Sequence, residues 1–303
     1  MNGKLKDHKI KRAVIPVAGF GTRMLPLTKE VPKELLPVFD RPIIEHVISE
    51  AISAGITEII FIIREGKEVV KNYFVRNKKL ENFLKQKNQN TVIKNLKHIS
   101  SNIKIYSINQ KKPLGLGHAV LCAKPLLKKE PFALLLPDVL VQDKLNLEKN
   151  FSFKKMMIRW DKSSNGQIMI HRVPSSKVKD YGIVGLENNE IKSFFHSKIE
   201  SLIEKPSEKN APSNLAIIGR YILPYSILDT LENTKKGHNN EIQLTDALQT
   251  FKFNNDLEAF LTSAQVFDCG NKWDLLAANL SFGMRNKDGK AFFDTFLRQN
   301  VNL

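Results

Sequence analysis

Two glycine-containing stretches and a handful of charged side chains carry the chemistry of this chain. The first stretch, Gly19-Phe20-Gly21-Thr22-Arg23, opens directly after the apolar run Ala13-Val14-Ile15-Pro16-Val17. A strand that runs into a glycine turn leaves backbone N–H groups free to cradle phosphate oxygens. Arg23 sits at that turn, and Lys33 follows ten residues on in Pro32-Lys33-Glu34-Leu35-Leu36-Pro37. Two cations at one glycine turn read as a site for a nucleoside triphosphate, with Gly19, Gly21 and Thr22 in the cradling loop. Two commoner phosphate motifs fail. Position 24 is Met24, so Gly-x-Gly-x-x-Gly is broken, and no Gly-Lys-Ser/Thr follows. A lone Gly-x-Gly is also compatible with a tight turn whose glycines only relieve backbone strain. The preceding strand, Thr22-Arg23 and Pro32-Lys33-Glu34 favour the phosphate reading.

Asp138 ends an apolar run in Leu136-Pro137-Asp138-Val139, and Asp268 ends another in Val266-Phe267-Asp268-Cys269-Gly270. In open α/β sheets ligands bind beyond the carboxyl ends of the strands. A carboxylate there is placed to hold Mg²⁺, which takes one or two protein carboxylates and completes its shell with phosphate and water. The alternatives are a turn cap at Asp138 and an ordinary Asp-x-Gly turn at Asp268. The second glycine loop, Leu114-Gly115-Leu116-Gly117-His118, lets a flat ring approach the backbone, and Gln110 before it offers an amide to a pyrimidine edge. His118 reads as structural, since no nucleophile–base–acid set surrounds it. Glu204-Lys205-Pro206 suits a sugar hydroxyl and a phosphate, or else a surface charge pair. Tyr181-Gly182 is a tight turn or a close approach of backbone to a sugar.

These residues need a scaffold, and strand and helix patterns alternate along the first half. Strand-like runs occupy 13–17, 58–63, 103–108 and 132–136. Helical spacing runs from Pro42 to a stop at Gly55, over 67–74 and over 117–125, and 76–102 reads as an exposed helical excursion. This alternation predicts a doubly wound parallel sheet. From about 165 shorter strands at 167–171, 182–186, 191–195 and 202–204 point to a mixed sheet, with helices over 225–231, 242–251 and 273–284.

Composition narrows the function classes. The chain has 303 residues, 42% apolar, with 47 basic against 31 acidic residues and a formal charge of +16. The cations are mostly dispersed lysines, and the denser patches at Lys4–Arg12 and Arg76–Lys87 lack a series of stacking aromatics. The charge reads as a lysine-rich background that also attracts anionic substrates, so no nucleic-acid partner is expected. Cys122 and Cys269 are the two cysteines, too few for a disulfide framework and without zinc-site spacing. No signal peptide and no membrane span are expected, and a reduced cytoplasmic setting fits.

In order along the chain, the Gly19–Pro37 block, Gly115-Leu116-Gly117-His118-Ala119, Leu136-Pro137-Asp138, Tyr181-Gly182, Glu204-Lys205-Pro206, Glu241-Ile242-Gln243-Leu244-Thr245-Asp246 and Asp268-Cys269-Gly270-Asn271-Lys272 resemble the bacterial UTP–glucose-1-phosphate uridylyltransferases, or UDP-glucose pyrophosphorylases, of the sugar nucleotidyltransferase family. The likeness runs from about Lys11 to about Arg285. It implies a Rossmann-like, doubly wound mixed sheet, a smaller mixed-sheet sugar-binding lobe and C-terminal helices. It also implies the reaction of UTP with α-D-glucose 1-phosphate to UDP-glucose and pyrophosphate, with Mg²⁺ as cofactor. By the same resemblance Ala18 and Gly19, with Gln110 and Gly115, hold the uridine. Arg23 and Lys33 hold the β- and γ-phosphates, and Asp138 and Asp268 hold Mg²⁺. Gly182 and Glu204 meet the glucose, and Lys205 meets the sugar phosphate and the α-phosphorus.

The expected organisation is a nucleotidyltransferase core over 9–270, with a nucleotide lobe over 9–145 and a sugar-binding part over 146–270, then a helical segment over 271–303. Phe292, Phe293, Phe296 and Leu297 form an apolar stripe there, for the core or for a partner subunit. The family tendency implies a homo-oligomer, dimer or tetramer. Two departures stand out: Asn109 occupies a place where the family leads one to expect Arg, and residues 75–102 match poorly. A thymidylyltransferase or another sugar-1-phosphate nucleotidyltransferase, a catalytically silent regulatory paralogue and a basic nucleic-acid-binding protein are the rival readings.

Overall fold

A computed structural model describes residues 10–100, 103–144, 150–188, 191–237, 240–253, 255–286 and 288–300 of the chain. The N-terminal end of the Lys4–Arg12 patch and the last two residues of the 76–102 excursion lie outside them. The chain runs from β1 (Arg12–Pro16) through the two-residue strands β2 (Pro37–Val38) and β3 (Arg41–Pro42) to α1 (Ile43–Ser53), β4 (Glu58–Ile63) and α2 (Glu68–Asn72). Next come α3 (Lys78–Gln86), α4 (Asn90–Ser100), β5 (Lys104–Asn109), α5 (Leu116–Cys122), β6 (Phe132–Leu135) and β7 (Val139–Gln142). Then follow α6 (Phe151–Ser163), β8 (Gly166–Arg172), β9 (Gly182–Leu186), β10 (His196–Glu204) and β11 (Leu215–Leu223). The last elements are α7 (Ile227–Asn233), α8 (Leu244–Phe251), β12 (Leu257–Leu261), β13 (Gln265–Asp268), α9 (Lys272–Met284) and α10 (Gly289–Asn300).

Nine strands form one sheet in the order β5-β4-β1-β6-β11-β8-β12-β10-β9. Its first four strands are parallel, with Val14 opposite Ile60 on one side and Leu134 on the other. β11 runs antiparallel to β6 and opens the mixed half, so that half continues the parallel half without a break. The central strands are apolar on both faces because helices cover both. Ala13, Ile15, Ile59 and Phe61 face α1 and α6 (Ile44, Val47, Phe153, Met156) in one core. Val14, Ile60 and Ile62, one residue out of phase, face α5 and α8 (Ala119, Val120, Leu244, Leu248) in the other.

Most expected elements occur where the periodicity puts them. The exception is 191–195, which is irregular: Phe194 takes a left-handed φ of 69°, and its N–H turns to the Leu261 carbonyl instead of a ladder. α6, β11 and β12 were not anticipated. Separately, β7 and β13 pair as a small antiparallel ribbon beside the sheet.

Candidate active site

The expected site residues gather in three clusters, set on the loops after β1, β5, β6 and β13 and on the β9–β10 ladder. The glycine loop leaves β1 with Ala18 buried and Gly19 exposed. Gly21, at φ 70°, starts a short helical turn over Thr22–Met24, a left-handed conformation that an L side chain rarely takes. Met24, fully buried, anchors the turn from below, and Thr28 Oγ1 donates to the Gly21 carbonyl at 2.8 Å.

The second cluster is built on the β7–β13 ribbon, whose register sets Asp268 opposite Val139 and so beside Asp138. The Cys269 N–H donates to the Asp138 carbonyl at 2.8 Å and locks the two turns together. Lys33 Nζ lies 2.5 Å from Asp138 Oδ2, and Arg23 Nη1 lies 3.2 Å from Asp268 Oδ2. Burial alone would strip the charge from Lys33, but Asp138 opposes it and holds the ammonium above its ordinary pKa. Burial likewise pushes Asp138 up, yet the Lys33 charge and hydrogen bond outweigh it, and the carboxyl titrates low. Asp268 is pushed up by burial and by the charge of Asp138, only partly offset by Arg23. Between the two carboxylates stands Gly270. A Cβ there would sit 2.8 Å from Asp268 Oδ1, 3.0 Å from Asp138 Oδ2 and 2.8 Å from Arg23 Nη2. The missing side chain therefore leaves open the space that the two carboxylates share. Among the described residues no group of three or more His, Cys, Asp or Glu forms a metal site. A cation here would rest on two hard oxygen donors and complete its shell with phosphate oxygens and water, the donor set that suits Mg²⁺.

Arg220 holds this cluster from behind and was not foreseen. It is fully buried on β11, and its Nη1 and Nη2 donate to the carbonyls of Leu136 and Val139 at 3.2 and 2.7 Å, the two residues that bracket Pro137-Asp138. The buried Glu50 carboxylate pairs with Arg220 Nη2 at 2.8 Å. Gly219 beside it, at φ 72°, forms the bulge that lets the Leu136 side chain lie against bare backbone. Glu34, next to Lys33, is also fully buried, with both carboxylate oxygens on Lys67 Nζ at 3.0 and 2.8 Å. The one signal of Arg220 in the sequence is a Gly-Arg pair inside an otherwise apolar run.

The third cluster combines Gln110 and Gly115 with Gly182, Glu204 and Lys205, linked through the 241–245 segment. Gln110, buried just past the end of β5, donates from Nε2 to the Gly115 carbonyl at 3.2 Å, which brings the two residues side by side. On the other side Gly182 stands opposite Glu204 in the β9–β10 ladder. A Cβ at Gly182 would meet Glu204 Oε2 at 3.2 Å. Thr245, not foreseen as a site residue, donates to Glu204 Oε2 at 2.6 Å and fixes that carboxylate. Lys205 takes a left-handed φ of 46° and leaves its side chain partly exposed. Its N–H donates to the Tyr181 carbonyl at 3.0 Å. The Tyr181 hydroxyl is pushed up first by burial and then by the charge of Asp268.

A glycine turn, two cations, two neighbouring carboxylates and an amide thus meet on the loops of one α/β sheet. The family described as nucleotidyl transferase matches residues 12–283. The chain belongs to the nucleotidyl transferase family. Its relatives within this group are close. It is 40% identical over 283 residues to the UTP–glucose-1-phosphate uridylyltransferase of Haemophilus ducreyi, covering 93% of this chain and 96% of the relative. The UTP-bound UGPase from Acinetobacter baumannii superposes with a TM-score of 0.87 at 40% identity, over 96% of this chain and 99% of that one. A UDP-glucose pyrophosphorylase complexed with UDP-glucose superposes with a TM-score of 0.80 at 34% identity, over 91% of this nucleotidyl transferase and 100% of that chain.

Proposed function

We propose that this nucleotidyl transferase converts UTP and α-D-glucose 1-phosphate to UDP-glucose and pyrophosphate. The carrying observation is the union of Lys33, Arg23, Asp138 and Asp268 around the open space at Gly270. A phosphate oxygen of glucose 1-phosphate attacks the α-phosphorus of UTP, and the bond to pyrophosphate breaks on the opposite side. No protein nucleophile is required, so the residues act by positioning and by neutralising charge. Ala18, Gly19, Gly21 and Thr22 carry the nucleotide, and Gln110 and Gly115 face the base. Arg23 and Lys33 take the β- and γ-phosphates, and the charge that Asp138 preserves on Lys33 serves the departing pyrophosphate. Gly182 lets the sugar approach the backbone, Glu204 accepts from its hydroxyls, and Lys205 meets its phosphate. Mg²⁺, held by Asp138 and Asp268, would supply charge neutralisation on the triphosphate.

The exposed apolar residues of α9 and α10, Trp273, Leu276, Phe292 and Phe296 among them, fit contact with a second copy, and a homo-oligomer is proposed. No helix among the described residues is long and apolar enough to cross a membrane. The proposed setting is the cytoplasm.

The test is Mg²⁺-dependent pyrophosphate release from UTP with glucose 1-phosphate, beside dTTP and beside galactose 1-phosphate. Fast release with UTP and glucose 1-phosphate alone is expected. A preference for dTTP would move the chain to thymidylyl transfer, and no release from any pair by the folded protein would leave a silent paralogue.

A further inference from the structure

The orientation of the Gln110 amide is set by its neighbours. Two acceptors meet its Nε2: the Gly115 carbonyl at 3.2 Å and His118 Nδ1 at 3.0 Å. The Gly115 carbonyl has no hydrogen to give, so it admits the NH₂ end of the amide and repels the oxygen end. That choice in turn fixes His118, whose Nδ1 must carry a lone pair and whose proton therefore sits on Nε2. Burial lowers the His118 pKa, which favours the neutral ring. The imidazole is carried on α5, one turn into a helix whose start is pinned by the Gly117 N–H bonded to the Ile242 carbonyl at 2.9 Å. With both N–H groups of the amide directed at these two acceptors, Oε1 takes no hydrogen bond from the protein among the described residues.

We propose that His118 is a positioning residue for nucleobase selection: it holds Gln110 so that Oε1, an acceptor only, faces the base. This rests on the reading that Gln110 contacts the base. Uracil presents an N3–H donor at that edge and matches an acceptor. Cytosine presents a bare N3 lone pair and an amino group, and a fixed carbonyl oxygen opposite the lone pair repels it. An amide free to turn would offer NH₂ to cytosine as readily as oxygen to uracil, so discrimination depends on the clamp as well as on the glutamine.

The decisive comparison is His118→Asn against His118→Gln, with Gln110→Ala alongside. Asn places its side-chain oxygen near the position of Nδ1, and Gln places it one methylene further out, while both remain polar residues of similar size on the same helix. The readout is the ratio of kcat/KM for UTP to that for CTP, from pyrophosphate release, with thermal melts confirming folded variants. His118→Gln and Gln110→Ala are each expected to shrink the ratio about tenfold, the value of one hydrogen bond, and His118→Asn to keep it near that of the unsubstituted enzyme. If Gln110→Ala leaves the ratio unchanged, Gln110 does not read the base and the premise fails. If Gln110→Ala shrinks it and His118→Gln does not, Gln110 reads the base without the clamp and the proposal for His118 is overturned. Equal loss in His118→Asn and His118→Gln would also overturn it.

Discussion

Gly270→Ala is the sharpest test of the carboxylate pair, because it adds one carbon at a place where three charged atoms converge. The added carbon would lie 2.8 Å from Asp268 Oδ1, 2.8 Å from Arg23 Nη2 and 3.0 Å from Asp138 Oδ2. Arg23 is largely exposed and can swing aside, giving up its 3.2 Å contact to Asp268. The carboxylates have less freedom, since Asp138 is held by Lys33 at 2.5 Å and Asp268 Oδ1 by the Gly270 N–H at 3.0 Å. Both must retreat by a few tenths of an ångström, and the methyl group fills the space they share. Misplacement on the scale of an ångström costs about a hundredfold in rate, so a loss of about ten- to a hundredfold in kcat/KM is expected. The Mg²⁺ concentration for half-maximal activity should rise as well. The backbone at Gly270 is not left-handed, so alanine fits it, and the reduced freedom of the unfolded chain, worth about 0.4–1 kcal/mol, offsets part of the crowding. Melting temperature should stay within a few degrees of the parent, by the usual scale of ~1 kcal/mol per 2–8 °C. Pyrophosphate release across an Mg²⁺ series, beside a thermal melt, gives both quantities. Parental turnover with the parental Mg²⁺ requirement would refute the reasoning, and so would a collapse in melting temperature, which would make Gly270 a residue of the fold and not of the site.

Other perturbations separate charge from scaffold. Lys205→Ala should slow turnover by about 10²–10³, as for loss of one preorganised donor, with the melting temperature unchanged because the side chain is partly exposed; unaltered kcat/KM would remove Lys205 from the chemistry. Asp268 titrates above the ordinary carboxylate range, so the folded protein binds that proton more tightly than the unfolded chain and loses stability as pH rises through that range. Asp268→Asn, measured in chelator, should therefore melt higher than the parent at neutral pH, and the gap should close in acid below the unfolded value of about 3.9; a lower melt at neutral pH would contradict this. Asp138 runs the other way. Its stabilisation is present above that same value and fades as pH falls through its depressed range, so Asp138→Asn should melt lower at neutral pH. Arg220→Met strands the buried Glu50 carboxylate and should cost about 3–5 kcal/mol by chemical denaturation, and a cost under about 1 kcal/mol would mean that Glu50 finds another partner.

The parallel half of the sheet was legible because its strands are apolar on both faces and are separated by helices with clear stops, as at Gly55. Among the elements that the sequence reading lacks, α6 has a usable signal in Phe153, Met156, Met157 and Trp160, which recur at helical spacing and are all buried. β11 is harder to read, since Gly219-Arg220 interrupts its apolar run, and nothing local tells that the arginine finds Glu50 and two carbonyls far along the chain. Ile191–Phe195 misled because apolar content without alternation does not make a strand. In the candidate site, short motifs pointed to Arg23, Lys33, Asp138, Glu204 and Lys205, each at or beside a local turn. Arg220 and Thr245 act on partners far along the chain, and only the folded chain shows which residues those are.

The β7–β13 ribbon has a consequence for how the protein comes into being. Synthesis proceeds from the glycine loop toward the C-terminus, so Lys33 and Asp138 leave the ribosome long before Asp268 and Gly270. The growing chain carries Lys33 and Asp138 early, but the second carboxylate and the gap at Gly270 join them only once β13 has paired with β7. Translation products that stop short of β13 therefore lack Asp268 and Gly270, and with them half of the proposed metal seat.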